Sequence, residues 1–221
     1  MKRYAAAMLF FWLFISCAHA TSGRVKIGPL PAISNVSPKL EKSLDALRVR
    51  IRSTAKDCIE AAKGMNSVGE YNSEIKKMVD TSKAIVLQVS ATMICDGIHS
   101  SSYQYGIAFE KSTGKRIDLN RIYNIAIRRD ERLFIRPELA DAVKSSYTKA
   151  NENNQSCFSD ADWQDDLTNL PITFSPQSDG SIVLYYAAPE VFAACFPALR
   201  LEPSALYKFR DANQASQYEL P

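Results

Sequence analysis

The chain predicts an α+β fold: a largely antiparallel sheet packed by helices, in a single disulfide-stapled domain. Three observations carry this. Apolar residues recur at three- and four-residue steps from Leu40 to Met65, the helical period. From Ile85 to Cys95, and again from Tyr103 to Phe109, they alternate with a period of two, as strands do. Cys58, Cys95, Cys157 and Cys195 are spread singly, with no C-x-x-C pair to hold a metal.

The opening residues predict export. Lys2 and Arg3 precede an apolar run from Ala5 to Ile15, and Ala18-His19-Ala20 supplies a small-x-small cleavage site, so residues 1–20 read as a signal peptide. The run is too short for a permanent membrane helix. Phe14-Ile15-Ser16-Cys17 offers a second processing route, a lipobox with a lipid anchor at Cys17 and an outer-membrane lipoprotein as product. Phe14 stands where that motif wants an aliphatic residue, which favours cleavage near Ala20 and a periplasmic or secreted protein.

Removing residues 1–20, which hold two of the 27 Lys and Arg and none of the 24 Asp and Glu, leaves a net charge of +1. That is no footing for nucleic acid, which needs a dense basic face. The four remaining cysteines in an exported chain predict two disulfides among three pairings. Sequential pairing, Cys58 with Cys95 and Cys157 with Cys195, is the expectation.

Residues 21–36, with Gly23, Gly28, Pro29 and Pro31, read as a flexible leader. Residues 37–211 form the domain. Ser37-Pro38 is a helix cap with proline at the first helical position, and the helix ends near Gly64. Residues 83–95 form a half-buried strand, Asp96-Gly97 turns the chain, and residues 103–109 return. Thr113-Gly114 makes a tight turn before a short continuation through Ile117 and Leu119. Pro137 opens a second helix with Leu139, Ala140, Val143 and Tyr147 on one side. A polar loop at 150–156 precedes the Ser159-x-x-Asp162 cap of a short helix. Residues 172–174 and 182–186 form a hairpin around Ser178 to Gly180. A strand at 198–201 and a helix from Pro203 close the domain, leaving 212–221 as a C-terminal tail.

After residue 20, His99 is the only histidine. Its neighbour Ser100 points to the opposite face of an extended chain, so no Ser–His dyad forms, and no G-x-S-x-G elbow exists. No catalytic residue is expected; His99 is read as a loop histidine that hydrogen-bonds or touches a partner. Asp160, Asp162, Asp165 and Asp166 form the densest carboxylate cluster. They lack the central glycine and later glutamate of a calcium loop, so neither metal nor cofactor is expected. Asp160 and Asp162 complement a helix dipole and offer an acidic patch to a basic partner. Arg121, Arg128, Arg129, Arg132 and Arg136 are interrupted by Asp130 and Glu131 and read as a mixed-charge surface, with an anionic polymer as the alternative ligand. The stretch from Tyr185 to Pro197 carries Val191, Phe192 and Phe196 between two prolines. It either presents a protein-binding surface or folds over the sheet edge to complete the core.

The run Cys95-Asp96-Gly97-Ile98-His99, the returning Tyr105-Gly106-Ile107-Ala108-Phe109, the Thr113-Gly114 turn with Ile117 and Leu119, and the late Phe174, Gly180, Tyr185, Pro189, Leu199 and Leu201 resemble the DUF3298 domain family over about residues 74–209. Where that family often shows a Gly-Gly-x-His-Pro-like turn, only Gly97 and His99 carry over. The family includes the extracytoplasmic, lysozyme-binding domain of the sigma-V anti-sigma factor and domains accompanying some peptidoglycan deacetylases. The resemblance implies a non-enzymatic periplasmic binding protein, an inhibitor or immunity protein for a lysozyme-like hydrolase or toxin of the cell envelope. Asp96, His99 and Tyr103 in the turn, Val191, Phe192 and Phe196 in the loop, and Asp160 and Asp162 on the acidic side are the expected contacts. The rivals are an envelope enzyme acting on peptidoglycan and a structural or assembly lipoprotein.

Overall fold

Ser37 and Pro38 start the first helix as their chemistry dictates. Extended Ser37 accepts a hydrogen bond from the Leu40 amide at 3.2 Å, and Pro38 sits where no amide partner is needed. Helix α1 (Pro38–Gly64) then lays Leu40, Leu44, Leu47, Ile51, Ala55, Cys58 and Ala62 along one buried stripe. The structure is a computed structural model and describes residues 23–159 and 163–221. The segment 1–20 expected to be a signal peptide, with Cys17, and Asp160 and Asp162 lie outside the described residues.

The stripe of α1 covers a five-stranded sheet in the order β1 (Arg24–Ile27), β2 (Glu70–Asp80), β3 (Ala84–Ile94), β4 (Ser100–Glu110) and β5 (Arg116–Ile117). Only β1 and β2 pair in parallel. The chain continues through α2 (Leu119–Tyr123), the hairpin β6 (Ala126–Arg129) and β7 (Arg132–Ile135), a 3-10 turn at Pro137–Leu139, α3 (Ala140–Ala150), α4 (Ser156–Ser159) and α5 (Trp163–Asn169). β8 (Ile172–Pro176), β9 (Ile182–Tyr186), a 3-10 segment at Glu190–Cys195, β10 (Leu199–Leu201), α6 (Pro203–Leu206) and α7 (Ala212–Gln217) complete it. The second sheet runs β10-β9-β8-β7-β6, antiparallel throughout. There are therefore two sheets where one was expected.

The two layers meet across β3. Its Ile85, Leu87, Val89 and Ala91 face α1, as the alternation predicts. Ala84 and Val86 on the other side join a second core with Ala108, Ile117, Phe174, Ile182 and Leu184. The start of β3 is thus buried on both faces, which alternation alone understates. At the crossing of β4 and β8 a Cβ on Gly106 would lie 2.1 Å from the Phe174 carbonyl oxygen, backbone against backbone. Gly106→Ala is therefore expected to cost about 2 kcal/mol through overpacking. The urea unfolding midpoint measures it, and an unchanged midpoint would mean that the layers do not touch there.

Two boundaries differ from expectation. Residues 24–27 are not part of a loose leader but a strand on β2, and the segment after it is latched. Lys111 Nζ donates to the Ser34 carbonyl at 2.7 Å and to Asp80 Oδ1 at 2.5 Å, and Lys77 Nζ bonds the Ala32 carbonyl at 2.8 Å. The glycines and prolines there shape an ordered path rather than signalling freedom. Nor is 212–221 a loose tail. Asp211 caps α7, Leu220 is buried, and Tyr123 Oη donates to the Pro221 carbonyl at 2.9 Å.

Candidate binding surface

The turn between β3 and β4 is built from one carboxylate. Asp96 Oδ1 accepts the Ile98 and His99 amides at 2.9 and 2.8 Å, and Oδ2 lies 2.5 Å from His99 Nδ1. Those two amides first, then the imidazole, hold the Asp96 carboxyl well below the usual carboxylate range. Gly97 has φ +81, and a Cβ on it would strike Ser67 at 2.3 Å. Ser67 Oγ lies 3.0 Å from the Asp96 carbonyl, and Cys95 is bonded to Cys58, so the turn is fixed to the end of α1 from both sides. What projects from it is Ile98, 79% exposed, with His99 and its acid on the surface beside it.

Tyr103 lies further along β4, its hydroxyl 2.6 Å from that of Tyr71. Burial first, then the Tyr71 hydroxyl, push its pKa above the ordinary phenol value, so it remains a neutral hydrogen-bonding group.

After β9 the chain passes Pro189 and coils through the 3-10 segment to Cys195. That residue is bonded to Cys157 of α4, and its carbonyl accepts Asn151 Nδ2 at 3.0 Å. This short path resolves the two readings of the loop by dividing it. Phe196 is 8% exposed and belongs to the core, its ring centroid 5.5 Å from those of Tyr147 and Tyr186. Val191 and Phe192 stand outside, 83% and 43% exposed. Phe196 is therefore mostly buried, packed against Tyr147 and Tyr186, and only its edge reaches the surface.

Two grooves flank this ridge and share Phe196. One, about 260 Å³, reaches Tyr103, Gln104 and Thr173 on one side and Tyr186 and Ala193 on the other. The second, about 400 Å³, is lined by Trp163, Asp166, Val191 and Phe192. Folding thus brings together Tyr103, Val191, Phe192, Phe196 and one carboxylate of the acidic segment, whereas Asp96 and His99 line neither groove. Trp163 and Ile98 were missed by sequence reasoning; a lone tryptophan next to an acidic run was the one available signal for the first.

The arginines converge in part: Arg128 and Arg132 line one cavity and Arg121 and Arg128 the next, while Arg129 and Arg136 line neither. Arg128 pairs with Asp118 at 3.5 Å at the mouth of a cavity of about 720 Å³ floored by Ile107, Leu133 and Phe174. Arg129 lies over the Phe134 ring at 5.2 Å, and Arg136 Nε donates to the Asn124 carbonyl at 2.7 Å.

These features define a class: a two-layer α+β protein whose two disulfides mark an extracytoplasmic setting. Among the described residues no helix is long and apolar enough to cross a membrane. No protein-family model and no curated protein matches the chain. Two solved structures similar to it are DUF3298 family proteins. One, from Pseudomonas aeruginosa PAO1, is 15% identical with a TM-score of 0.44, over 66% of this chain and 63% of that one. The other, from Bacteroides fragilis, is 11% identical with a TM-score of 0.45, over 81% of this chain and 71% of that one. The chain thus spans about 63% of the length of the Pseudomonas protein.

Proposed function

We propose that this chain is an extracytoplasmic binding protein that grips a protein partner through the ridge of Val191 and Phe192 and the grooves beside it. The partner is a cell-wall-active enzyme of the lysozyme kind, which the chain inhibits or against which it confers immunity. One observation carries the reading: two large apolar side chains exposed on a short segment that ends at the Cys157–Cys195 bridge. Apolar anchors held rigidly beside pockets are what interface hot spots are made of, because little ordering entropy is lost on binding. Asp166 at the second groove favours a basic partner, and the resemblance to DUF3298 domains supplies the class of enzyme.

Mature protein immobilised against periplasmic extract and against purified lysozymes is expected to retain a muramidase. The pair Val191→Asp and Phe192→Asp is expected to weaken that complex at least about 100-fold while thermal unfolding stays unchanged. Retention of no cell-wall hydrolase, or an affinity indifferent to both substitutions, overturns the reading.

A further inference from the structure

Strand edges expose rows of amide and carbonyl groups that other chains can pair with, and proteins blunt them with charge, prolines or shortness. All four outer strands here follow that rule, β5 through both its shortness and Arg116. β1 carries Arg24 and Lys26; β6 carries Arg128 and Arg129; β10 is three residues long with Arg200 at its centre; β5 is two residues long. Because β5 pairs only with Ala108 and Phe109, no strand pairs the outer edge of β4 before them, and β8 packs against it only around Gln104 and Gly106. That edge, Ser100-Ser101-Ser102-Tyr103-Gln104, has no charge and no proline, and its register with β3 is unbroken.

The direction of its backbone groups follows from two hydrogen bonds. Glu110 donates its amide to Lys115 on the β5 side, and the Gln104 carbonyl accepts Thr173 Oγ1 at 2.9 Å. With the antiparallel alternation, the even-numbered residues Ser100, Ser102 and Gln104 point outward while Ser101 and Tyr103 bond β3. Among the described residues only the Thr173 hydroxyl engages these outward groups. The same stretch borders the groove of about 260 Å³ that runs to Tyr186, Ala193 and Phe196.

We propose that this edge takes an extended segment of the partner protein as an added strand, continuing the row that β5 begins. The segment's backbone bonds Ser100, Ser102 and the Gln104 amide, and one apolar side chain enters the groove beside Phe196. Backbone pairing supplies affinity and the groove selects the side chain. The inference rests on the binding reading given above and specifies how the partner is held.

The test needs no hydrolase, which separates its failure from failure of that reading. Isotope-labelled mature protein is titrated with blocked peptides of about nine residues, alternating Thr with Ala, Val, Leu or Phe, up to about 1 mM. The Ser100, Ser102 and Gln104 amides are expected to shift and to exchange more slowly, while Ser101 and Tyr103 stay put. Ser102→Pro removes an outward donor without touching the ladder, and Ser102→Lys places a charge at the edge without altering the backbone. Each is expected to weaken peptide binding at least about tenfold, and the lysine variant covers the case in which the proline one does not fold. Immobile even-numbered amides with every peptide, or variants that bind as the parent does, overturn the proposal. Peptide binding without muramidase binding would leave the edge site standing and remove the enzyme as its partner.

Discussion

Replacing Cys157 and Cys195 together by alanine will lower the free energy of unfolding by about 4 kcal/mol, the chain-entropy value for a closed loop of this length. The two residues are 38 positions apart in sequence. Breaking the bond also frees the Glu190–Cys195 segment from α4, so Val191 and Phe192 lose their fixed presentation. Stability and partner affinity should fall together. Cys58 and Cys95, 37 positions apart, should cost about as much in stability when replaced. They leave the ridge in place, so affinity should fall less in that pair. Urea unfolding and a binding titration on both double variants check this, and equal loss of affinity in the two would remove the ridge from the interface.

Lys111→Met will cost about 3 kcal/mol, the low end for breaking a buried ion pair. Lys111 is 3% exposed and its ammonium bonds Asp80 and the Ser34 carbonyl, tying β4's far end to the segment after β1. The substitution leaves the Asp80 charge with Lys77, 3.0 Å away on the surface side, and the Ser34 donors. Burial works against ionisation of Asp80, but the bonds from Lys111, Lys77 and Ser34 outweigh it and hold the carboxyl well below the usual range. A lowered native pKa contributes stability that is complete above the unfolded value of about 3.9 and is lost as pH falls below it. Asp80→Asn should therefore be less stable than the parent at neutral pH, with the difference shrinking as pH drops through that value. A constant difference down to the acid transition would show that Asp80 carries no such charge coupling.

What was legible in the chain was what period and punctuation record. Ser37-Pro38, the alternation of β3 and β4, the β8–β9 hairpin and the even cysteine count all express local rules. β2 escaped because polar Ser73 and Lys77 interrupt its odd-numbered apolar positions Tyr71, Ile75 and Val79, and the bulge between Lys77 and Val79 turns Val79 to the second core while Tyr71 and Ile75 face α1. The β6–β7 hairpin escaped because its turn uses Asp130 and Glu131 with φ of 45 and 63, where glycine or asparagine is the usual signal. The grooves escaped for a different reason. Tyr103 and Phe196, or Trp163 and Phe192, meet only once both sheets have formed, and no spacing within the chain encodes that. The exposed Val191 was visible as an apolar residue, but its separation from buried Phe196 depends on the tight coil of the 3-10 segment.

The two bridges do not interleave: among the described residues each cysteine is joined to its neighbour in order. A polypeptide threaded into an oxidising compartment amino end first presents Cys58 and Cys95 before Cys157 arrives. An oxidant that links thiols simply as they emerge would produce the native pattern, so maturation should proceed without an enzyme that reshuffles mistaken bonds.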